Sequence, residues 1–152
     1  MKKLTPFLLS TVLLLGTAAC ENAAKTSADA PDTVQESPKA QDTETVETSK
    51  DDAQSEVRKN QLNADIRARE ERNNATGGDA VRADEDLESE VRSKLEANIP
   101  KSQLAIEAEE GVVTVTGTLP NEKDLSKIEP LTKEIKGVSS VVNKVTFAPP
   151  TP

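Results

Sequence analysis

The sequence predicts an α+β fold: a small αββαβ domain of two layers, two helices on one face of a three-stranded sheet, over residues 79–148. Three observations predict it. Leu87, Val91 and Leu95 recur every four residues, the spacing of one helix face. Two runs of alternating apolar residues flank the pair Glu110-Gly111, as in a hairpin. A second helical stripe, Leu125, Ile128, Leu131 and Ile135, then leads into the apolar run that ends the domain.

Each element follows from local chemistry. The first helix is expected over about residues 84–98, with Asp84, Glu85, Asp86 and Glu88 at its front, where negative charge suits the helix dipole. Ile99-Pro100 ends it, because the residue before a proline is pushed out of the helical region. Leu104, Ile106 and Ala108 alternate with Ala105, Glu107 and Glu109 as one strand. Val113, Val115, Gly117 and Leu119 alternate with Val112, Thr114, Thr116 and Thr118 as the next. Pro120-Asn121 opens the second helix, Gly137 stops it, and Pro130 is expected to kink it or split it near Glu129. Val141, Val142, Val145 and Phe147 form the last strand, and residues 149–152 are a tail. The threonine side of the sheet is expected to face water.

Upstream, the chain changes character twice. Residues 1–19 have the layout of an export signal: Lys2 and Lys3, an apolar run from Leu4 to Leu15, then Gly16-Thr17-Ala18-Ala19. The run is too short to span a bilayer stably. Thr17-Ala18-Ala19-Cys20 resembles a bacterial lipobox, which implies lipidation of Cys20 as the mature N-terminus; Thr17 departs from the preferred leucine, and ordinary cleavage after Ala19 is the alternative. A Glu at position 21 is compatible with outer-membrane sorting in lipoproteins of that kind.

Residues 20–78 read as a disordered acidic linker. Between Glu21 and Thr48 there are seven acidic residues against two basic ones, and Val34 and Val46 are the large apolar ones, so burial cannot offset chain entropy. A flexible tether of this length reaches roughly 40 to 45 Å. Within it, residues 50–74 mix charges of both signs with Val57, Leu62 and Ile66, and are expected to form a charged helix that is solvated or weakly docked.

Composition narrows function. The chain of 152 residues is 34% hydrophobic and carries a net charge of −8 with two Phe and no Trp or Tyr. Nucleic acid is disfavoured as a partner, since binding it rests on neutralising phosphates and stacking bases. The absence of His removes the commonest general base and metal ligand, and a single Cys excludes an internal disulfide. No enzyme, cofactor or metal site is expected. Asp84-Glu85-Asp86 lacks the spacing of a calcium loop. The adjacent pairs Ser93-Lys94 and Ser126-Lys127 diverge on their helices, so neither forms a catalytic pair.

Three separated blocks carry a family resemblance: Leu87, Val91 and Leu95; Gly111 through Leu119; and Gly137-Val138 with Val141-Val142-Asn143. Residues 86–147 thereby resemble the BON domain, named for bacterial osmotically induced and nodulation proteins. The resemblance implies an αββαβ fold and a non-catalytic role in attachment to phospholipid membranes or other envelope components, with osmotic or envelope stress protection as its setting. Tandem copies, common in that family, are not found here, so avidity is not available. The expected partners are a membrane, an envelope protein or a second copy. The expected location is the cell envelope, on the periplasmic side of an outer membrane, or else a soluble periplasmic or secreted state.

Candidate binding residues follow. Gly117, inside a strand, marks either a ligand surface or room for a helix packing across the sheet. Thr114, Thr116 and Thr118 form the open polar face, available to lipid or, in the alternative, to protein association through the face or an edge strand. Lys123, Lys127, Lys133 and Lys136 lie outward on the second helix; they meet lipid phosphates in one reading and form a solvated mixed-charge face, with a Glu129–Lys133 pair, in the other.

Overall fold

The structure is a computed structural model describing residues 23–44, 46–48, 55–76 and 83–151. The expected export signal and Cys20 lie outside the described residues.

The fold is α+β. In chain order the elements are β1 (Ala24–Lys25), α1 (Glu56–Thr76), α2 (Asp84–Asn98), β2 (Gln103–Glu109), β3 (Val112–Leu119), α3 (Leu125–Lys133) and β4 (Ser140–Phe147). The sheet order is β1-β2-β3-β4, with β1–β2 and β2–β3 antiparallel and β3–β4 parallel. A parallel neighbour requires a crossover, and α3 supplies it.

The hairpin turn is two residues long, Glu110 at φ 51° and Gly111 at φ 80°. Positive φ at both positions matches a turn whose twist suits the flanking strands, and glycine takes the second at little steric cost. Strand alternation then sorts the faces. Leu104, Ile106, Val113, Val115 and Leu119 point to the helices and are buried with Leu87, Val91, Leu95 and Ile99 of the α2 region and Ile128 and Ile135 of the α3 region. Each such side chain removed from water contributes about 1.5–3 kcal/mol. This is the predicted single apolar layer.

Three local features differ from expectation. α3 is not split at Glu129: it runs through Pro130 to Lys133, four residues short of Gly137, after a 3₁₀ turn over Glu122–Asp124. Pro130 and Ser126 are both exposed, so the helix bond lost at the proline leaves its acceptor facing water. The sheet has four strands rather than three. The largest difference is upstream, where residues expected as a free disordered linker lie against the domain.

Residues 23–48 bury their few apolar side chains, Ala23, Ala30, Val34 and Val46, and β1 closes the free edge of β2. Average composition measures burial capacity; it does not register an open strand edge that offers backbone hydrogen bonds to any extended segment. The charged helix is present as α1. Its one fully buried large apolar residue is Leu62, while Val57 is 68% exposed. Ion pairs join α1 to α2: Arg69 to Asp86 at 2.6 Å, and Arg58 Nε to Glu96 Oε1 at 2.7 Å. α2 is consequently covered on two sides, by the sheet along Leu87-Val91-Leu95 and by α1 near Glu96.

Candidate binding surface

The face of the sheet opposite the helices carries Gln103, Ala105 and Glu107 on β2, Thr114, Thr116 and Thr118 on β3, and Val142, Lys144 and Thr146 on β4, by register. It was expected to be open. Instead its β2 and β3 part is mostly closed: Ala105 is 0%, Thr118 2% and Thr116 3% exposed, Glu107 and Thr114 are partly exposed, and Val142, Lys144 and Thr146 on β4 stay open.

A strap formed by residues 23–42 covers the β2 and β3 part of the face. The Val34 amide N–H donates to Glu107 Oε1 (3.2 Å), Thr118 Oγ1 donates to Lys39 O (3.2 Å), and Gln41 Nε2 donates to Lys101 O (2.9 Å). The first contact lies beside Thr114, which pairs with Glu107, and the others lie toward the start of β2. The strap therefore runs along the face from one end to the other. It is fixed at the sheet edge by Thr26, whose N–H donates to Leu104 O (2.9 Å). Thr26 Oγ1 donates to Ser102 O (2.9 Å) and accepts from the Leu104 N–H (2.9 Å). The turn after β1 is held by Lys25 and Asp32, 2.8 Å apart. The Lys25 hydrogen bond and charge hold the Asp32 carboxyl below its ordinary pKa.

Gly117 serves neither of the purposes weighed for it. It sits at φ +127°, and a Cβ there would lie 1.9 Å from Gln103 O and 2.9 Å from Leu104 Cα. What comes close is the backbone of β2, not a helix and not open solvent. The four lysines of the α3 region are all exposed. Two are paired with nearby acids, Lys127 with Asp124 of the preceding 3₁₀ turn (2.7 Å) and Lys133 with Glu129 of α3 (2.6 Å). The threonines and the lysines lie on opposite layers of the domain and do not form one site.

Beside the strap a cleft of about 1150 Å³ opens between the front of α2 and the hairpin. Asp84, Glu85, Glu88, Glu107, Glu109 and Glu110 line it together with Lys144. Glu88 is engaged there, its Oε1 accepting the Ala108 N–H at 2.9 Å. So acidic a wall repels anionic headgroups rather than gathering them. Among the described residues no helix is long and apolar enough to cross a membrane.

The strap residues Thr26, Val34, Lys39 and Gln41 carry no periodicity, and reading by pattern passed over them. The signal that was available is the small cluster Ala23-Ala24 followed by Thr26, enough for a short edge strand but not distinctive of one.

The model of the BON domain family matches residues 83–149, the interval that holds α2, the hairpin, α3 and β4. No curated protein matches the chain.

Proposed function

Residues 83–149 make this chain a BON-domain family protein, and from that premise we propose that it is a non-enzymatic binding module of the bacterial cell envelope, attached to a phospholipid membrane through lipid on Cys20. The observation that carries the reading is one of order along the chain: a BON domain follows an export-type leader that ends in the only cysteine. BON domains belong to a non-catalytic, phospholipid-binding class associated with envelope stress, which supports the same assignment. Two or more acyl chains make anchoring stable, since each buried CH₂ contributes about 0.8 kcal/mol.

The charge distribution divides the labour between anchor and domain. The net charge of −8, the acidic cleft and the paired lysines leave little electrostatic attraction of the domain itself for anionic lipid. Membrane hold thus resides in the acyl chains, and the domain is free to meet envelope components. Flotation with phosphatidylglycerol-containing vesicles at low salt tests this. The native lipidated chain floats, and the full chain carrying Cys20→Ser stays at the bottom; a Cys20→Ser chain that floats equally well contradicts the division.

A second reading, association with protein through the sheet, is favoured by the strap. The face and the β2 edge already hold an extended polypeptide segment, the mode in which a strand is added to a sheet.

A further inference from the structure

We propose that the outer sheet face and the β2 edge are a docking surface for an extended segment, closed in each chain by its own residues 23–42 and able to take the same segment from a second copy. The inference builds on the second reading above and does not depend on lipid at Cys20.

The hold of the strap is largely polar, with a small apolar share from the buried Ala23, Ala30 and Val34 and from Ala24 against the core. Its polar contacts include the short β1 ladder, the Thr26 node on Ser102 and Leu104, hydrogen bonds at Val34, Lys39 and Gln41, and the Thr151 N–H on Gln41 O. Water replaces such bonds at little net cost, so a segment with so few buried apolar groups opens at a small fraction of the global unfolding free energy. Lifting it bares the unpaired edge of β2 and the nearly fully buried Ala105, Thr116 and Thr118. An uncovered edge of that kind invites strand pairing.

The committed occupant is a second copy because the face is already seen to fit this sequence. Exchange of straps between two chains restores every contact, so nothing is lost except independence. The balance is one of concentration: the strap in its own chain acts at an effective concentration that a second copy must match. The opposite edge is blunted differently. On β4, Lys144 is exposed, and the Val145 N–H is taken by Asn143 Oδ1 at 3.0 Å.

Disulfide trapping in the full chain tests the proposal, with Cys20→Ser in every sample so that only introduced thiols react. Lys39→Cys and Thr118→Cys in one chain should cross-link within that chain, since the Thr118 hydroxyl lies 3.2 Å from the Lys39 carbonyl oxygen. Mixing chains that carry Lys39→Cys with chains that carry Thr118→Cys, up to about 1 mM, should trap a cross-linked dimer. The yield should rise by about tenfold when the Thr118→Cys chain also carries Thr26→Pro, which frees its face by removing the Thr26 N–H and hydroxyl. Lys39→Cys mixed with Lys127→Cys, on the opposite layer, gives the collisional background, and circular dichroism checks folding. A within-chain bond with a mixed-chain yield no greater than that background overturns the proposal, leaving a strap that serves only its own chain. Amide exchange at Leu104, whose N–H bonds Thr26 Oγ1, that is as fast as in the Thr26→Pro chain overturns it too, by removing the strap from the edge. None of these outcomes depends on vesicle binding, so they stand apart from the flotation result.

Discussion

Single atoms decide the geometry of the sheet at Gly117. A methyl group there would meet the Gln103 carbonyl at 1.9 Å, and φ is +127°, where side chains are strained. Gly117→Ala is therefore expected to cost at least about 2 kcal/mol, read as a lowered thermal midpoint, since the backbone of β2 must retreat and the pairing must shift with it. A midpoint unchanged by the substitution contradicts the close approach. At the other edge of β2, the Asp32–Lys25 pair makes strap closure sensitive to acid. A carboxyl whose pKa is lowered on folding contributes stability above its ordinary value, and that contribution is lost as pH falls through the lowered one. Protection of the Ala23 amide, which bonds Asp32 O at 2.9 Å, against exchange should fall below about pH 4. In Asp32→Asn this pair's share of the acid dependence should vanish. Equal acid dependence in the two proteins rules the pair out as its source.

At the scale of elements, the domain was largely legible and its surroundings were not. Leu87, Val91 and Leu95 announced α2 because a four-residue apolar repeat has few other uses, and Glu110-Gly111 announced the hairpin because few residue pairs suit two consecutive positive φ values. α1 and the strap lack such signals. α1 docks chiefly through Leu62 and through arginines that meet acids of α2, and charged contacts between helices leave no periodic trace in one sequence. The strap is read from the edge it completes, information held by β2 rather than by residues 23–42. The candidate site suffered most from this. The alternation correctly put Thr114, Thr116 and Thr118 on the face away from the helices but could not reveal what lies over it. Leu62→Ala should release α1, with a loss of about 2 kcal/mol or more in stability and faster amide exchange along residues 56–76. Val57→Ala, on the exposed side, should leave both within about 0.5 kcal/mol. Equal effects of the two substitutions contradict the docking.

Over the whole molecule, the strap shortens the distance between Cys20 and the domain. Cys20 precedes β1 by only four residues, a span of at most about 14 Å when fully extended. With the strap off, the roughly 35 residues between Cys20 and α1 reach about 30 to 35 Å as a flexible chain. A lipidated chain is thus expected to keep its domain close to the membrane, and Thr26→Pro to let it move outward, which neutron reflectometry on a supported bilayer resolves. No change in layer thickness between the two contradicts strap closure at the surface. The net charge of −8 discourages nonspecific adhesion to anionic lipid. The assignment as a membrane-held binding module consequently rests on the chemistry of one residue. Mass spectrometry of the mature N-terminus, on protein taken from its native envelope, examines it directly. The account predicts a chain that begins at Cys20 with acyl groups attached; a soluble chain that begins at an unmodified residue contradicts it.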